Sequence, residues 1–236
     1  MNKNKYFITL NVFTGEDNDQ PEVNVVPENI TKATFKKEDR AEVIRLDTPI
    51  YVTRRVPELD NKIGVGDQIS IDHYTATCQK VSEEGALFFM DQYDDDPQRM
   101  NDNENTNEGG YEKSDRRRRI NNEESLKDFP EDIRSRLVPF ENGDLIRIPT
   151  VCEMFGHEEC EDWCEDDGAE QLPLMVSRAN RVAYRKNECG WGWLQNKITD
   201  SATAFAIVYS DGLANNLSAS GVCGVRRVFQ ISTGRK

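Results

Sequence analysis

The spacing of apolar positions along this chain predicts short strands far more often than helices. Tyr6-Phe7-Ile8-Thr9-Leu10 and Val23-Asn24-Val25-Val26 alternate or cluster β-formers, and the acidic Gly15-Glu16-Asp17-Asn18-Asp19 between them reads as a turn. Further strands are expected around Val43-Ile44 and Ile50-Tyr51-Val52, before Pro57 marks a boundary. Residues 1–58 thus form a β-rich N-terminal extension. So little apolar mass is expected to pack on the main domain, residues 59–236, or on another subunit. Past Gly64, Val65–Ile71, Tyr74–Cys78 and Ala86–Met90 predict an antiparallel meander of three strands separated by polar turns.

The C-terminal stretch Cys189–Ile231 organises the rest. It opens on Trp191 and Trp193 and runs through an apolar strand from Ala202 to Tyr209. It then turns at Ser210-Asp211-Gly212, and Val225–Ile231 is expected to close the hairpin. Short helices interrupt the strands. Pro130 suits a first helical turn, Ile133 and Leu137 fall four apart on one face, and Pro139 ends the run. After strand-like Leu145–Ile148, Thr150 and Glu153 have capping-box spacing, with Gly156 as the stop. The class expected is α+β.

A net charge of -13 argues against a nucleic-acid surface, which needs Lys and Arg to neutralise phosphates, and reads instead as an acidic solvated exterior. The N-terminus lacks the apolar run of a signal peptide and no stretch is long enough to insert in a membrane, so synthesis as a cytoplasmic chain is expected, with virion association as an alternative destination. The six cysteines are then expected as thiols. Cys152, His157, Cys160 and Cys164 are zinc-ligand types, but their spacing fits no familiar finger or ribbon, and acidic residues intervene. An acidic insertion with incidental thiols is the competing reading. Residues 91–114 are polar and Asn-rich; they lack the glycine and terminal glutamate of a calcium loop, so a long solvated loop is expected. Arg116–Arg119 are expected on a solvated helix surface with local ion pairs, and His73 at the surface. No cofactor is implied.

Several motifs occur here in one order: Ala86-Leu87-Phe88-Phe89-Met90-Asp91; Asn107-Glu108-Gly109-Gly110-Tyr111; Phe129-Pro130-Glu131 through Pro139; Arg147-Ile148-Pro149-Thr150; Trp193-Leu194-Gln195-Asn196; and Gly224-Val225-Arg226-Arg227. In that order they resemble a C-type-lectin-like domain family of gut Firmicutes and their phages, from about residue 60 onward. The resemblance implies a C-type-lectin-like fold similar to formylglycine-generating enzymes and to phage tropism determinants. In the latter, a diversified C-terminal segment binds a host receptor. It also implies that Leu172-Pro173-Leu174-Met175 and Arg178, Asn180 and Arg181 are framework.

Within that framework the large apolar residues Trp193, Leu194, Phe205, Ile207, Val225, Val228 and Phe229 are expected in the core. Trp191, Lys197, Thr199, Thr203, Tyr209, Asn215, Asn216, Leu217, Ser220 and Val222 are the ligand-binding candidates, on loops and the outward strand face. Between Asn196 and Gly224, Lys197 alone is drawn from Lys, Glu, Gln, Met and Trp. The resemblance implies a reason: in members altered by a diversity-generating retroelement, randomised Asn-type codons cannot become those five. Strand propensity is the plainer reason, since strands disfavour long charged side chains. The function expected is therefore non-enzymatic binding of a protein or glycan on a cell or virion surface. The alternatives are a virion assembly component, with the extension supplying contacts of a homo-oligomer, and an enzyme of the formylglycine-generating kind. The last needs a reactive cysteine pair, for which only Cys189 and Cys223 are near the relevant end.

Overall fold

The computed structural model describes residues 63–157, 163–165, 167–185 and 190–233, together with the backbone of the strands at 33–38, 41–46, 54–55 and 188–189. In chain order the strands are β1 (Ala33–Glu38), β2 (Ala41–Leu46), β3 (Arg54–Arg55), β4 (Asp67–Ile71), β5 (Tyr74–Val81), β6 (Ala86–Met90), β7 (Ile146–Arg147), β8 (Tyr184–Arg185), β9 (Glu188–Cys189), β10 (Gly192–Lys197), β11 (Ala204–Val208), β12 (Ala214–Ser218) and β13 (Val228–Ile231). Short helices lie among them: α1 (Asp115–Ile120), α2 (Glu123–Leu126), α3 (Glu131–Arg134), α4 (Val151–Phe155) and α5 (Arg178–Arg181). The molecule is a mixed α+β structure with antiparallel sheets. The strands expected at Tyr6–Leu10, Val23–Val26 and Ile50–Val52 lie outside the described residues, whereas Val43-Ile44 falls in β2, which pairs with β1.

A six-stranded sheet runs β3-β4-β5-β6-β13-β7, and a three-stranded sheet runs β10-β11-β12. The expected meander forms its middle: β4 pairs with β5 and β5 with β6, both antiparallel. β3, from before Pro57, adds to the edge in parallel with β4. Strands β6 and β11 are buried along their whole length, and period-two alternation sends their successive side chains into opposite cores. Phe88 and Phe229 enter one core with Trp193, Phe205 and Ile207, while Leu87, Phe89 and Val228 enter a second core with Leu194, Ala206 and Val208. In the first, Phe229 stacks on Phe88 at 5.6 Å and meets the edge of Phe129 at 5.0 Å. Helix α4 covers the second core. It carries the capping box, Thr150 Oγ1 accepting from Glu153 N–H while the Glu153 carboxylate accepts from Thr150 N–H.

Four expectations are corrected. Val228–Ile231 is not the hairpin partner of β11; β12 is, paired from Ala204↔Ser218 to Val208↔Ala214, and β13 lies between β6 and β7. The cause is burial: Val228, Phe229 and Ile231 are too apolar for an edge, whereas Ala214-Asn215-Asn216-Leu217-Ser218 tolerates one. Leu137 does not extend α3; past Ser135 the chain straightens and Leu137 bridges Ile231. Arg117, Arg118 and Arg119 pair with Asp144, Asp115 and Asp102, but Arg116 is buried. Its guanidinium bonds the Gln98 side chain and, at 2.7 Å, the Arg99 carbonyl oxygen. Finally, residues 91–114 do not form a solvated loop. Tyr93, Met100, Asn107 and Tyr111 are buried, and Gln98 exchanges backbone hydrogen bonds of 2.8 and 3.0 Å with Cys223. The segment straps the C-terminal module to the meander.

Candidate functional site

The three-stranded module is fixed from within before it displays anything. Trp193 is fully buried, donates its indole N–H to the Gln98 carbonyl at 2.6 Å, and meets Phe205 edge-on at 6.5 Å. Buried Asn196 accepts from Val151 N–H at the start of α4 and donates to Asp167 Oδ2, both at 2.8 Å. Asn107 donates to the Ser201 carbonyl at 2.7 Å and the Ala204 carbonyl at 3.0 Å, holding the bend between β10 and β11. Arg226 is buried over the Phe89 ring and donates to the Met90 carbonyl at 2.7 Å. Leu194, Phe205, Ile207, Val225, Val228 and Phe229 are buried, so the residues expected in the core are there.

Trp191 is placed oppositely, and glycines flank it. Gly190, Gly192 and Gly224 lie on the ring of Tyr93; a Cβ at Gly192 would sit 2.5 Å from it, and one at Gly224 would sit 2.6 Å from the ring and 2.7 Å from the Trp191 carbonyl oxygen. Trp191, between two of these glycines, lies just before β10 begins and escapes the core that buries Trp193. It is 40% exposed and stacks on Tyr209, ring centres 4.7 Å apart and planes 27° apart. Tyr209 is held by its N–H to the Leu213 carbonyl at 2.8 Å, across the turn where Gly212 adopts φ +80. Trp191, Tyr93, Pro97, Arg185 and Val222 border a cleft of about 310 Å³. Val222 is 51% exposed, and Arg185 forms no ion pair with another described side chain.

The other candidates fall in two groups. Asn215 and Asn216 are exposed on the edge strand β12, the Asn215 side chain accepting from Asn216 N–H at 2.8 Å. Leu217, on the same strand, packs on the core and lies over Gly221. At the far end of the module, Thr199 is exposed, Thr203 and Ser220 are half-buried, and Lys197 pairs with Glu165 at 2.9 Å. The structure therefore places Trp191 and Val222 on one cleft, with Tyr209 stacked behind Trp191, and leaves Lys197, Thr199, Thr203 and Ser220 out of its lining. Sequence reasoning missed Tyr93 and Arg185; the Gly-Trp-Gly alternation was the available signal for a ring beneath the glycines.

Of the zinc quartet, Cys152 Sγ lies 3.9 Å from His157 Nδ1 and Cys164 is buried in the core that holds Cys152, while Cys160 lies outside the described residues. Among the described residues no group of three or more His, Cys, Asp or Glu is placed to hold a metal. Cys78 and Cys223 are free buried thiols, each pushed up to about 12 by burial. His73 lies exposed in the β4–β5 turn, its Nδ1 2.6 Å from Asp72. No described helix is long and apolar enough to cross a membrane. A scan against protein-family models, a search of curated proteins and a search of solved structures each gave no match to this chain.

Proposed function

We propose that this protein is a non-enzymatic binding protein whose C-terminal module presents a recognition surface, within a C-type-lectin-like framework, to a protein or glycan on a cell or virion. The observation that carries the reading is the pair of tryptophans two positions apart. Trp193 is fully buried and Trp191 is 40% exposed and braced by Tyr209, so a rigid core holds an outward aromatic face. A large ring already fixed by packing loses little entropy when a partner covers it. The exposed Thr199, Asn215, Asn216 and Val222 support the idea that the positions between Asn196 and Gly224 are exchangeable, as a diversified segment requires. The inward roles of Asn107, Asn196 and Arg226, each drawn from the motifs that carry the resemblance, support its framework. The enzymatic alternative is disfavoured at Cys223, where a thiol pushed up to about 12 supplies no activated thiolate at neutral pH.

The test is binding of labelled protein to intact cells or virions of the source community, with thermal melting as the folding control. Replacing Trp191, Asn215 and Asn216 together by alanine is expected to weaken binding by about tenfold or more, the scale on which a few central residues dominate a recognition surface. The melting temperature should fall by no more than about 6 °C, leaving the variant folded under assay conditions. Unchanged binding by the folded variant rules out this face.

A further inference from the structure

The cleft beside Trp191 specifies more than an undefined partner. Its described lining is aromatic and apolar at Trp191, Tyr93, Pro97 and Val222, and the single charged side chain among them is Arg185. In a chain of net charge -13, an arginine without an ion pair to another described side chain, at the rim of a cleft whose described lining holds no carboxylate, selects an anion. Guanidinium geometry suits a carboxylate, which it can grip through two N–H donors. One face of the Trp191 indole is taken up by Tyr209. Its exposed side offers a flat apolar surface for one ring, and the volume of about 310 Å³ admits one ring with its substituents.

We infer that this cleft binds a carboxylated pyranose, a uronic acid residue, laying the C–H face of the sugar on Trp191 and its carboxylate on Arg185. An aryl acid has the same charge but suits the site less well. Bound in a groove this shallow it would leave one apolar ring face against water, whereas the hydroxyls of a sugar remain hydrated on that side. The inference rests on the proposed binding function and narrows it to acidic glycans.

Saturation-transfer NMR and titration with methyl β-D-glucuronide, with methyl β-D-glucoside and benzoate as comparators, test it. The glucuronide is expected to bind in the millimolar range or tighter, about tenfold or more above the glucoside, the ratio that one charge-assisted hydrogen bond supplies. Arg185→Gln should bring glucuronide affinity down to that of the glucoside, and Trp191→Ala should abolish signals from both sugars. Equal affinity for the two sugars, a preference that survives Arg185→Gln, benzoate binding at least as well as the glucuronide, or no signal at ~10 mM each overturns it. Cell or virion binding is measured on the same proteins. If it still depends on Trp191 when glucuronide fails to bind, only the sugar assignment falls; if it ignores Trp191, the recognition face falls too.

Discussion

Trp191 and Trp193 provide the sharpest contrast available in this chain, because alanine at each removes the same side chain from opposite environments. At Trp193 the loss is a fully buried ring packed on Phe205, for which the expected cost is about 3–5 kcal/mol. Its hydrogen-bond acceptor adds little to that figure, since the Gln98 carbonyl keeps the Cys223 N–H at 3.0 Å. At Trp191 the loss is one exposed aromatic stack, worth about 0.5–1.5 kcal/mol. With a urea slope of about 3 kcal/mol/M, suited to a chain of this size, the unfolding midpoint should fall by roughly 1–1.7 M for Trp193→Ala and by roughly 0.2–0.5 M for Trp191→Ala. Urea unfolding followed by far-UV circular dichroism reads both. Equal shifts, or a larger shift for Trp191→Ala, refute the division between framework and display.

Other outcomes follow from the same geometry. Gly224→Ala should cost about 1–3 kcal/mol by forcing a methyl group into the Tyr93 ring and the Trp191 carbonyl, and an unchanged melting temperature contradicts the close packing. Glu153→Ala removes both the carboxylate half of the α4 capping box and the partner of half-buried Arg147, so a loss of about 3–5 kcal/mol is expected in denaturant titrations; a loss below about 1 kcal/mol argues that the pair is idle. The hydrogen bond from His73 to Asp72 raises the His73 pKa above its ordinary 6.5. Its stabilising contribution is therefore complete below that value and lost as pH rises through the raised one. Histidine proton NMR should show the raised titration returning towards 6.5 in Asp72→Asn, and no change on that substitution contradicts the assignment. Native protein at pH 7.5 should resist thiol-reactive dye at Cys78 and Cys223 until urea is added, whereas rapid labelling at either site speaks against their burial.

What the sequence conveyed was local. The Thr150–Glu153 capping box, the Asp211-Gly212 turn and the meander from β4 to β6 each depend on neighbours a few residues away, and each is where the pattern placed it. Partner choice over distance was not legible. The run Val225–Ile231 is more apolar than Ala214–Ser218 and looked the better match for β11. Burial instead drew it into the larger sheet and left the polar strand on the edge. Arg116 was read with its three neighbours as solvated charge. Its burial depends on Gln98 and the Arg99 carbonyl, which the chain brings there through a strap that also looked like open loop. The site was legible in the same degree. Trp191 is exposed, as expected of a candidate, and stacks on Tyr209, which is half-buried against the core, but Tyr93 and Arg185 reach the cleft only through long-range folding.

The claim on which the rest depends is that a fixed interior carries exchangeable outward positions. Randomising Thr199, Asn215, Asn216 and Val222 together in a displayed library, and scoring the fraction that resists protease, measures this directly. The account predicts that most variants remain as protease-resistant as the parent, since surface changes away from special features move stability by little. Survival restricted to residues resembling Thr, Asn, Asn and Val at those four positions contradicts it.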